Sequence, residues 1–480
     1  MENMNELSSD LFLAVPYDEL EELNAGARAK RDTVPLAEQE SEYRAYLEKE
    51  KRVKVVTLCF SDLEGRFHML DYDKKFLLDS ADNLTFDGSS IRGFTAQRES
   101  DLRIKPDWSS FFWLPADLFG AGKVIMFANI LTRDGDQYAS DFRGMLQNFT
   151  RDLKEQEGLS ALVSAEVEGF VLAGRNAEQN FDEKEGFNLI STGGYFHSLP
   201  LDPLRQFIDY SARVQRAMAF KNEKDHPEVA PSQFEMNFSY TEALRMADLI
   251  QLYKLICRQV ANNMGMTACF LPKPVMGING TGMHINMSLA KNGKNIFYDK
   301  EGKEKLSTIA HDFIARTLNH AQEICLVLNA SVNAYRRLDP HFEAPNQIQV
   351  SPMDRGSMVR IPVGNEKTAR IEVRSVGPDA NPYLLLYILF KTGMHGELPT
   401  TTLAEGEAAA LLPGTIQEAL GLFESGDFVR QILGTENVEK YLACKKQVAS
   451  RSASDLGTLV KTSEVIYHHE VTNQGLWNKF

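Results

Sequence analysis

The stretch Glu166-Val167-Glu168 places two carboxylates two residues apart, with a valine between them. Because successive side chains of a β-strand point to opposite faces, both carboxylates would lie on one face of a strand. His284-Ile285-Asn286 and Gln233-Phe234-Glu235 repeat this pattern, and Arg370-Ile371-Glu372-Val373-Arg374 extends it over a longer segment. Glu, His and Arg recur in these stretches without Lys. They therefore predict a cavity built on strands and lined by ligands for divalent metals and for anions.

The composition indicates a globular protein with an acidic surface. The chain has 480 residues, of which 43% are hydrophobic and 25% charged, which is enough for two or three domains. The formal net charge of −14 disfavours nucleic acid or an anionic membrane as partner, because both require a basic surface. An anion site in this chain must therefore be a local cluster of arginines.

The cysteines and the N-terminus predict a cytoplasmic protein. The five cysteines are scattered and form no CxxC motif, which is typical of reduced thiols. The first residues, MENMNELSSDLF, lack the cationic segment and apolar run of a signal peptide. No stretch approaches the roughly 20 apolar residues of a membrane helix. We therefore expect a soluble protein without a membrane span.

Changes in sequence pattern along the chain predict three regions. Residues 1–50 are rich in Glu, Ala and Arg and read as an N-terminal extension that is partly helical and packs on the surface. Residues 51–137 contain three strong strand patterns and predict a small β-rich domain. Residues 138–480 alternate strands and helices and predict a larger domain that contains both. The clearest patterns are strands at 53–60, 67–72 and 124–131, and helices at 38–51, 246–260, 307–330 and 414–433.

The acidic residues of the polar strands, with one histidine, form a candidate metal site. Several carboxylates in one cavity would repel each other unless cations neutralise them. Five carboxylates and one imidazole suit two Mg²⁺ or Mn²⁺ ions with three protein ligands each. The alternative is a set of surface strands joined by salt bridges. The six candidate ligands are Glu166, Glu168, Glu228, Glu235, His284 and Glu372.

Arginines and glycines supply a candidate anion site. A guanidinium fork matches a carboxylate or a phosphate with two parallel hydrogen bonds, so a cluster of arginines predicts binding of polyphosphate and a substrate carboxylate. The Gly-rich segment Asn279-Gly280-Thr281-Gly282 precedes His284 and would let the backbone approach a ligand closely. It matches neither the Rossmann nor the P-loop pattern. The clustered arginines are Arg337, Arg355, Arg360, Arg370 and Arg374.

A further segment carries a resemblance to a known family. Phe86-Asp87-Gly88-Ser89-Ser90-Ile91, followed by Glu99-Ser100-Asp101, resembles the N-terminal signature of glutamine synthetases, and Asn279 to His284 resembles their substrate and metal loop. The resemblance runs from about residue 53 to about residue 433 and is strongest to the bacterial class I type. Other segments that fit in the same order are Leu271-Pro272-Lys273-Pro274, Tyr335-Arg336-Arg337-Leu338, Phe342-Glu343-Ala344-Pro345 and Ala380-Asn381-Pro382-Tyr383.

The resemblance implies a fold, an activity and an assembly. The fold would be α+β, with a small N-terminal β-grasp domain and a larger catalytic domain whose curved, mainly antiparallel sheet is flanked by helices. The activity would be ATP-dependent ligation of ammonia to the γ-carboxylate of L-glutamate. A γ-glutamyl phosphate would form first, and the products would be L-glutamine, ADP and phosphate. Each site would hold two or three Mg²⁺ or Mn²⁺ ions, in a homododecamer of two stacked hexameric rings.

The resemblance also implies roles for single residues. The metal near glutamate would be held by Glu168, Glu228 and Glu235, and the metal between the nucleotide phosphates by Glu166, His284 and Glu372. Glutamate would be bound by Arg337, Arg374, Asn279 and Gly280, with Ser90 near the ammonium. The ATP phosphates would be held by Arg355, Arg360 and Arg370, and the rest of the nucleotide by Glu223, Asn286, Ser288 and Lys367. Asp87 would bind ammonium and take its proton, and Glu343 would close the glutamate entrance.

The sequence departs from the family pattern and leaves two rival activities open. His226-Pro227-Glu228 stands where His-His-Glu is usual, which predicts a local backbone change without loss of the metal-binding glutamate. The flap at residues 339–343 also differs from the usual pattern. One rival is a γ-glutamyl ligase for an organic amine, and the other is a non-catalytic assembly protein on the same fold. Retention of Asp87, Ser90, Asp101 and Glu343 favours ammonia as the amine.

Overall fold

A small mixed sheet and a large, mostly antiparallel sheet form the framework of the molecule. The computed structural model describes residues 11–97, 100–177, 186–275, 277–338, 344–400 and 409–450. The hydrophobic core is continuous from the N-terminal helices through the first sheet to the helices that cover the second. The fold class is therefore the α+β fold that the sequence predicts.

Two helices, α1 (Tyr17–Thr33) and α2 (Leu36–Lys49), form the N-terminal extension. The amide of Asn24 on α1 is buried and donates to the carbonyl oxygens of Trp113, at 3.0 Å, and of Ala217, at 2.8 Å. These two acceptors lie in the second and the third sequence region, 51–137 and 138–480. The extension therefore connects both regions, which its composition did not reveal.

The first sheet is built around one strand that is buried on both faces. Its strands are β1 (Val55–Ser61), β2 (Phe67–Asp73), β3 (Thr85–Asp87), β4 (Asp101–Pro106), β5 (Phe112–Trp113) and β6 (Lys123–Leu131). The order is β2-β1-β6-β4-β3, with β5 also paired to β6, and β1 runs parallel to β6. The apolar run in β6 explains its central position. The three predicted strands are present. Strands β3 and β4 were not predicted, because β3 has only three residues and β4 carries charged residues at alternate positions.

The second sheet carries the polar strands. Its members are β7 (Leu159–Ala173), β8 (Asn222–Pro227), β9 (Gln233–Phe238), β10 (Thr241–Glu242), β11 (Met266–Cys269), β12 (Met283–Lys291), β13 (Lys294–Asn295), β14 (Gln347–Ser351), β15 (Ser357–Arg360) and β16 (Ile371–Val373). The main path is β14-β15-β16-β12-β7-β9-β8, and every described pair is antiparallel except β14 with β15.

Helices flank the sheets, and α7 (Ala243–Asn263) packs against strands β7 and β11 of the large sheet. Its residues Met246, Ile250 and Tyr253 are buried, as the helical spacing predicts. The remaining helices are α3 (Lys74–Ser80), α4 (Ala116–Phe119), α5 (Phe142–Glu157), α6 (Pro203–Ala217), α7 (Ala243–Asn263), α8 (Thr308–Asn319), α9 (Ala321–Leu328), α10 (Val332–Arg337), α11 (Pro382–His395), α12 (Ile416–Ser425), α13 (Asp427–Leu433) and α14 (Thr435–Ser450).

Two predicted helices are each divided in the structure. The pattern at 307–330 breaks at His320, whose ring contacts the Glu323 carboxylate at 3.1 Å and accepts from the Glu397 amide at 3.1 Å. The pattern at 414–433 breaks at Gly426, where a Cβ atom would overlap the Glu323 side chain. Both breaks involve the same buried contact around Glu323, which residue periodicity does not detect.

Candidate active site

Register across the large sheet brings the polar residues together. Arg360 lies opposite Glu372 and Glu372 opposite Asn286, so β15, β16 and β12 form one row. On the neighbouring strands His284 lies opposite Glu166. Directly opposite residues on a sheet have Cβ atoms about 5 Å apart, so pairing alone places these side chains within contact distance.

The first cluster consists of Glu166, His284 and Glu372. Ligand atoms of these three residues lie within 4.8 Å of one another. His284 Nδ1 is 3.4 Å from Glu166 Oε2 and 3.8 Å from Glu372 Oε1. Burial acts to raise the pKa of Glu166, but hydrogen bonds from His284 and Asn286 outweigh it and lower that pKa to about 2. The carboxylate of Glu166 is therefore held in its charged form.

Arginines surround this first cluster. Glu372 is completely buried and forms ion pairs with Arg360 and with Arg374, the latter at 2.5 Å. Asn286 donates to Glu166 at 3.0 Å and accepts from Arg370 at 2.8 Å. Three of the predicted anion-binding arginines thus lie beside the first carboxylate cluster.

The second cluster consists of His226, Glu228 and Glu235, whose ligand atoms also lie within 4.8 Å of one another. Burial, followed by the charge of Glu168, raises the pKa of Glu228 to about 7. Burial, followed by the charges of Glu168, Glu166 and Glu228, raises the pKa of Glu235 well above its usual value. These shifts mean that the second cluster lacks positive charge.

Glu168 lies between the two clusters. It pairs in register with Glu235, and its Oε1 is 3.9 Å from His284 Nε2. Its Oε2 accepts from the Gly282 amide at 2.8 Å and lies 3.4 Å from Gln233 Nε2. The predicted set of six ligands is therefore continuous across the sheet.

The glycines of the predicted substrate loop are required by close packing. A Cβ atom on Gly282 would overlap the guanidinium of Arg337 and approach His284 Nε2 to 2.9 Å. A Cβ atom on Gly280 would lie 2.5 Å from the Pro272 carbonyl oxygen. The loop therefore presses its backbone against the clusters and against Arg337, the residue predicted to hold glutamate.

Buried guanidinium groups at the site have free donors. Arg337 Nη2 donates to the Arg374 carbonyl oxygen at 3.1 Å, and burial lowers the pKa of Arg337 to about 10. Arg337 Nη1, Arg360 Nε and Arg374 Nε are buried and have no hydrogen-bond partner in the described part of the chain. Unpaired buried donors are costly, so this part of the site fits an anionic ligand.

The remaining nucleotide and substrate residues lie further out. Ser288 follows His284 and Asn286 on alternate positions of β12, and therefore shares their face. Glu223 is exposed on β8 and accepts from Ser239 at 2.8 Å. The other outer residues are Asn279, which is half-buried, and Arg355 and Lys367, which are exposed on loops.

Asp87 and Ser90 lie in the first sheet region, on and after the edge strand β3. Asp87 is exposed and accepts from the side chains of Ser89, at 2.6 Å, and Ser90, at 2.5 Å, which lowers its pKa. In the described ranges it has no hydrogen bond or ion pair with either cluster. Glu343 lies outside the residues that the structure describes.

Three residues near the second cluster were not predicted as site residues. His226 belongs to the cluster because it lies opposite Glu235 on the neighbouring strand. In the sequence it stands out only as a neighbour of Glu228. Gln233 donates to the Gly280 carbonyl oxygen at 2.8 Å and so links the loop to Glu168. The pKa of Tyr195 is raised by burial and then by the charge of Glu228. The two-residue spacing of Gln233 and Glu235 could have indicated Gln233 as a site residue, because it places both side chains on one face of β9.

Comparisons with protein families agree with this geometry. Residues 52–133 match the model "Glutamine synthetase, beta-Grasp domain", and residues 139–456 match "Glutamine synthetase, catalytic domain". The chain belongs to the glutamine synthetase family. The predicted family, fold class and enzyme class, a ligase of nitrogen metabolism, are thereby confirmed.

Relatives cover most of the chain. The glutamine synthetase of Clostridium saccharobutylicum is 34% identical over 83% of this chain and 92% of its own length. That of Methanosarcina mazei is 34% identical over 83% of this chain and 91% of its own. That of Thermotoga maritima is 33% identical over 87% and 96%. These bacterial and archaeal relatives support the predicted class I type.

A solved structure has the same fold. The cryo-EM structure of Plasmodium falciparum glutamine synthetase matches with a TM-score of 0.77 at 22% identity, over 89% of this chain and 98% of that chain. At this identity the match concerns the fold alone.

A membrane span is not found among the helices of the described residues, because none combines the required length with sufficient apolar character.

Proposed function

We propose that this chain ligates ammonia to the γ-carboxylate of L-glutamate, with ATP as co-substrate, and releases L-glutamine, ADP and phosphate. A carboxylate is a poor electrophile, so ATP first converts it to γ-glutamyl phosphate; ammonia then attacks the acyl carbon and phosphate leaves. The observation that carries the proposal is the continuous row of carboxylates with unpaired guanidinium donors beside it.

Glutamate occupies the space beside the substrate loop in this proposal. Arg337 binds the α-carboxylate and Arg374 the γ-carboxylate, with Asn279 and Gly280 alongside. The support is the free donor atom of each arginine and the close fit of the loop glycines. An Arg fork also fixes the orientation of a carboxylate, which brings its oxygen in line for phosphoryl transfer.

ATP lies at the arginine side of the first cluster. Arg355, Arg360 and Arg370 hold the phosphates and offset the charge that develops on the transferred group. Arg360 and Arg370 already contact Glu372 and Asn286. The rest of the nucleotide contacts Glu223, Asn286, Ser288 and Lys367.

Two divalent cations, Mg²⁺ or Mn²⁺, fit the carboxylates. Glu166, His284 and Glu372 would hold one, and Glu168, Glu228 and Glu235 the other. The fit rests on hard oxygen donors and on the raised pKa values of Glu228 and Glu235, which indicate missing positive charge. When bound, such ions polarise phosphoryl and carboxyl oxygens as Lewis acids.

Asp87 binds ammonium and accepts its proton, with Ser90 beside it, and Glu343 closes the glutamate entrance. Asp87 has no contact with either cluster in the described residues of one chain, so it would act in the site of a neighbouring copy. The assembly proposed is a homododecamer of two stacked hexameric rings. We keep the domain limits 51–137 and 138–480 and the cytoplasmic location as predictions.

The test of the reaction compares amines. Phosphate release from ATP and glutamate should rise at least about a hundredfold when ammonium chloride is added. Methylamine and putrescine should give little stimulation. Stimulation by an organic amine alone would assign a different γ-glutamyl ligase. No ATP turnover with any amine would favour the non-catalytic alternative.

A substitution tests the role of Asp87. Asp87→Ala should lower kcat with ammonium about a hundredfold or more, because the cation site and the base are lost together. ATP binding, measured by calorimetry, should stay within about twofold. Asp82→Ala, another exposed acid of the same region, is the matched control and should retain activity. Equal loss of ATP binding and turnover would contradict the assignment.

A further inference from the structure

A second cavity lies beside the N-terminal extension. Its volume is about 1040 Å³, and it is bounded by the connection between α1 and α2, by strands β4 and β6, and by the start of α7. None of the six carboxylate and histidine residues of the candidate active site lines it. The extension lies outside both matched family segments, the first of which begins at residue 52. This cavity is therefore separate from the candidate active site, and the extension forms one of its walls.

Two guanidinium groups meet at the floor of the cavity. Arg31 Nε donates to the Ser109 carbonyl oxygen at 2.6 Å, and Arg245 Nη2 donates to Ser109 Oγ at 2.8 Å. Arg31 Nη2 and Arg245 Nη1 are buried and have no hydrogen-bond partner among the described residues. Arg337, Arg360 and Arg374 of the candidate active site have buried free donors of the same kind.

The nearby acids are already used by a third arginine. Arg143 is completely buried and bonds Asp107 at 2.8 Å and Asp248 at 2.9 Å. Arg245 Nη1 is 3.8 Å and 3.9 Å from the same two carboxylates, which is beyond hydrogen-bond distance. Asp107 and Asp248 therefore bond Arg143, and neither carboxylate lies within hydrogen-bond distance of Arg245 Nη1.

The other charged residues of the cavity leave the two free guanidinium donors unpaired in the described residues. Glu242 also lines the cavity; burial raises its pKa and the charge of Arg245 acts to lower it, but its Oε1 is buried without a hydrogen-bond partner in the described part of the chain. Burial, followed by the charge of Arg245, lowers the pKa of Arg31 to about 9, which indicates repulsion between the two arginines. The rim carries three bases and three acids, which balance: Lys105, Arg151, Lys154, Asp32, Glu40 and Glu155.

The walls of the cavity are partly apolar. Leu36 is largely exposed at the entrance, and Trp108, Leu131 and Leu244 also line the space. The volume exceeds what a simple inorganic anion fills. A ligand that combines a carboxylate with an apolar body would match both the two free guanidinium donors and the walls.

We propose that this cavity binds a small organic monocarboxylate. Its carboxylate accepts hydrogen bonds from Arg31 and Arg245, and its apolar body packs against Trp108 and Leu36. The two free donors, Arg31 Nη2 and Arg245 Nη1, match the two oxygens of one carboxylate, and the apolar walls favour an organic ligand over inorganic phosphate. Because Arg31 comes from the extension and Arg245 from the catalytic region, an occupied site would hold the two together.

The experiment titrates the full-length protein with phenylacetate by calorimetry. Saturating glutamate, Mg²⁺ and a non-hydrolysable ATP analogue are present throughout, so that the candidate active site is filled. We expect one phenylacetate per chain, bound at least about tenfold more tightly than acetate or inorganic phosphate. No saturable phenylacetate binding, or tighter binding of phosphate, would overturn the proposal.

Variants locate the ligand. Arg31→Gln should weaken phenylacetate binding about tenfold or more, because a charged hydrogen-bond pair is lost. Lys154→Gln removes a rim charge and should change it less than about twofold. Arg31→Lys keeps the charge but loses the fork, and should give intermediate affinity with a thermal midpoint near that of the wild type. Unchanged affinity in both Arg31 variants would place the ligand elsewhere and refute the site.

Discussion

The two carboxylate clusters lie on the same sheet but differ in what neutralises them. In the first, Glu372 forms ion pairs with Arg360 and Arg374, and Glu166 keeps a low pKa of about 2. In the second, Glu228 and Glu235 face another carboxylate, and their pKa values are raised. The same residue type on adjacent strands therefore has opposite electrostatic properties.

The protein itself supplies the neutralising positive charge in the first cluster, whereas a ligand must supply it in the second. The first cluster is internally paired, so its geometry is held before any ligand arrives. The second cluster is strained by repulsion between acids, and proton or cation binding relieves that strain. We expect substitutions in the first cluster to affect stability and those in the second to affect metal dependence.

The largest expected effect is in the first cluster. Glu372→Ala leaves Arg360 and Arg374 without their buried partner, and should cost about 3 kcal/mol of unfolding free energy and about a thousandfold or more in kcat. Urea denaturation and turnover measure the two losses. Glu366→Ala, an exposed acid of the preceding loop, should change neither. A stable Glu372→Ala protein would show that the pairing is not structural.

The clusters should also differ in their pH dependence. The pKa of Glu228 rises from about 4.3 unfolded to about 7 folded, so its stabilisation is present below pH 4.3 and lost as pH rises to 7. With chelator present, unfolding free energy should fall by about 2 kcal/mol over that range. Glu166 has a lowered pKa, so its stabilisation is lost instead as pH falls from about 4.3 toward 2.

Urea denaturation at pH 5 and pH 7.5 measures the slope of unfolding free energy against pH that is attributed to Glu228. Glu228→Gln should flatten it, because the titrating group is removed. Added Mn²⁺ should flatten it as well, because a cation replaces the proton. An unaltered slope in Glu228→Gln would show that the raised pKa does not govern stability.

A smaller effect separates metal dependence from folding. Glu235→Gln should raise the half-saturating Mn²⁺ concentration about tenfold, because one anionic ligand is lost. The metal-free protein should be as stable as the wild type or more stable, because repulsion decreases. Titration followed by Mn²⁺ EPR and unfolding in chelator measure both. Destabilisation without a change in Mn²⁺ affinity would reverse the proposed contrast.

The smallest effect concerns the link between the first cluster and its arginines. Asn286→Ala removes the donor to Glu166 and the acceptor of Arg370, and should raise the KM for ATP about threefold with kcat nearly unchanged. Asn295→Ala, an amide further from the clusters that bonds the Ala369 carbonyl oxygen, is the control. A loss confined to kcat would argue against a positioning role for Asn286.

The chemical character of the large sheet can be predicted from the amino-acid sequence. Alternation of polar and apolar residues is a local property, so Glu166, Glu168 and His284 could be assigned to one strand face each without coordinates. Motif order gave the family and the fold class, because short segments with demanding backbone and ligand requirements, such as 279–284, keep their spacing. The roles of Asp87 and Glu343 rest on that resemblance and remain predictions.

Which side chains meet across the sheet depends on the packing of distant segments. Register places His284 opposite Glu166 and Glu235 opposite Glu168, and these residues lie on strands that are far apart in sequence. The break at His320 depends equally on a long-range contact. The meeting of Arg31 with Arg245 also joins distant segments. Such contacts form between distant segments as the chain folds, so no local pattern encodes them.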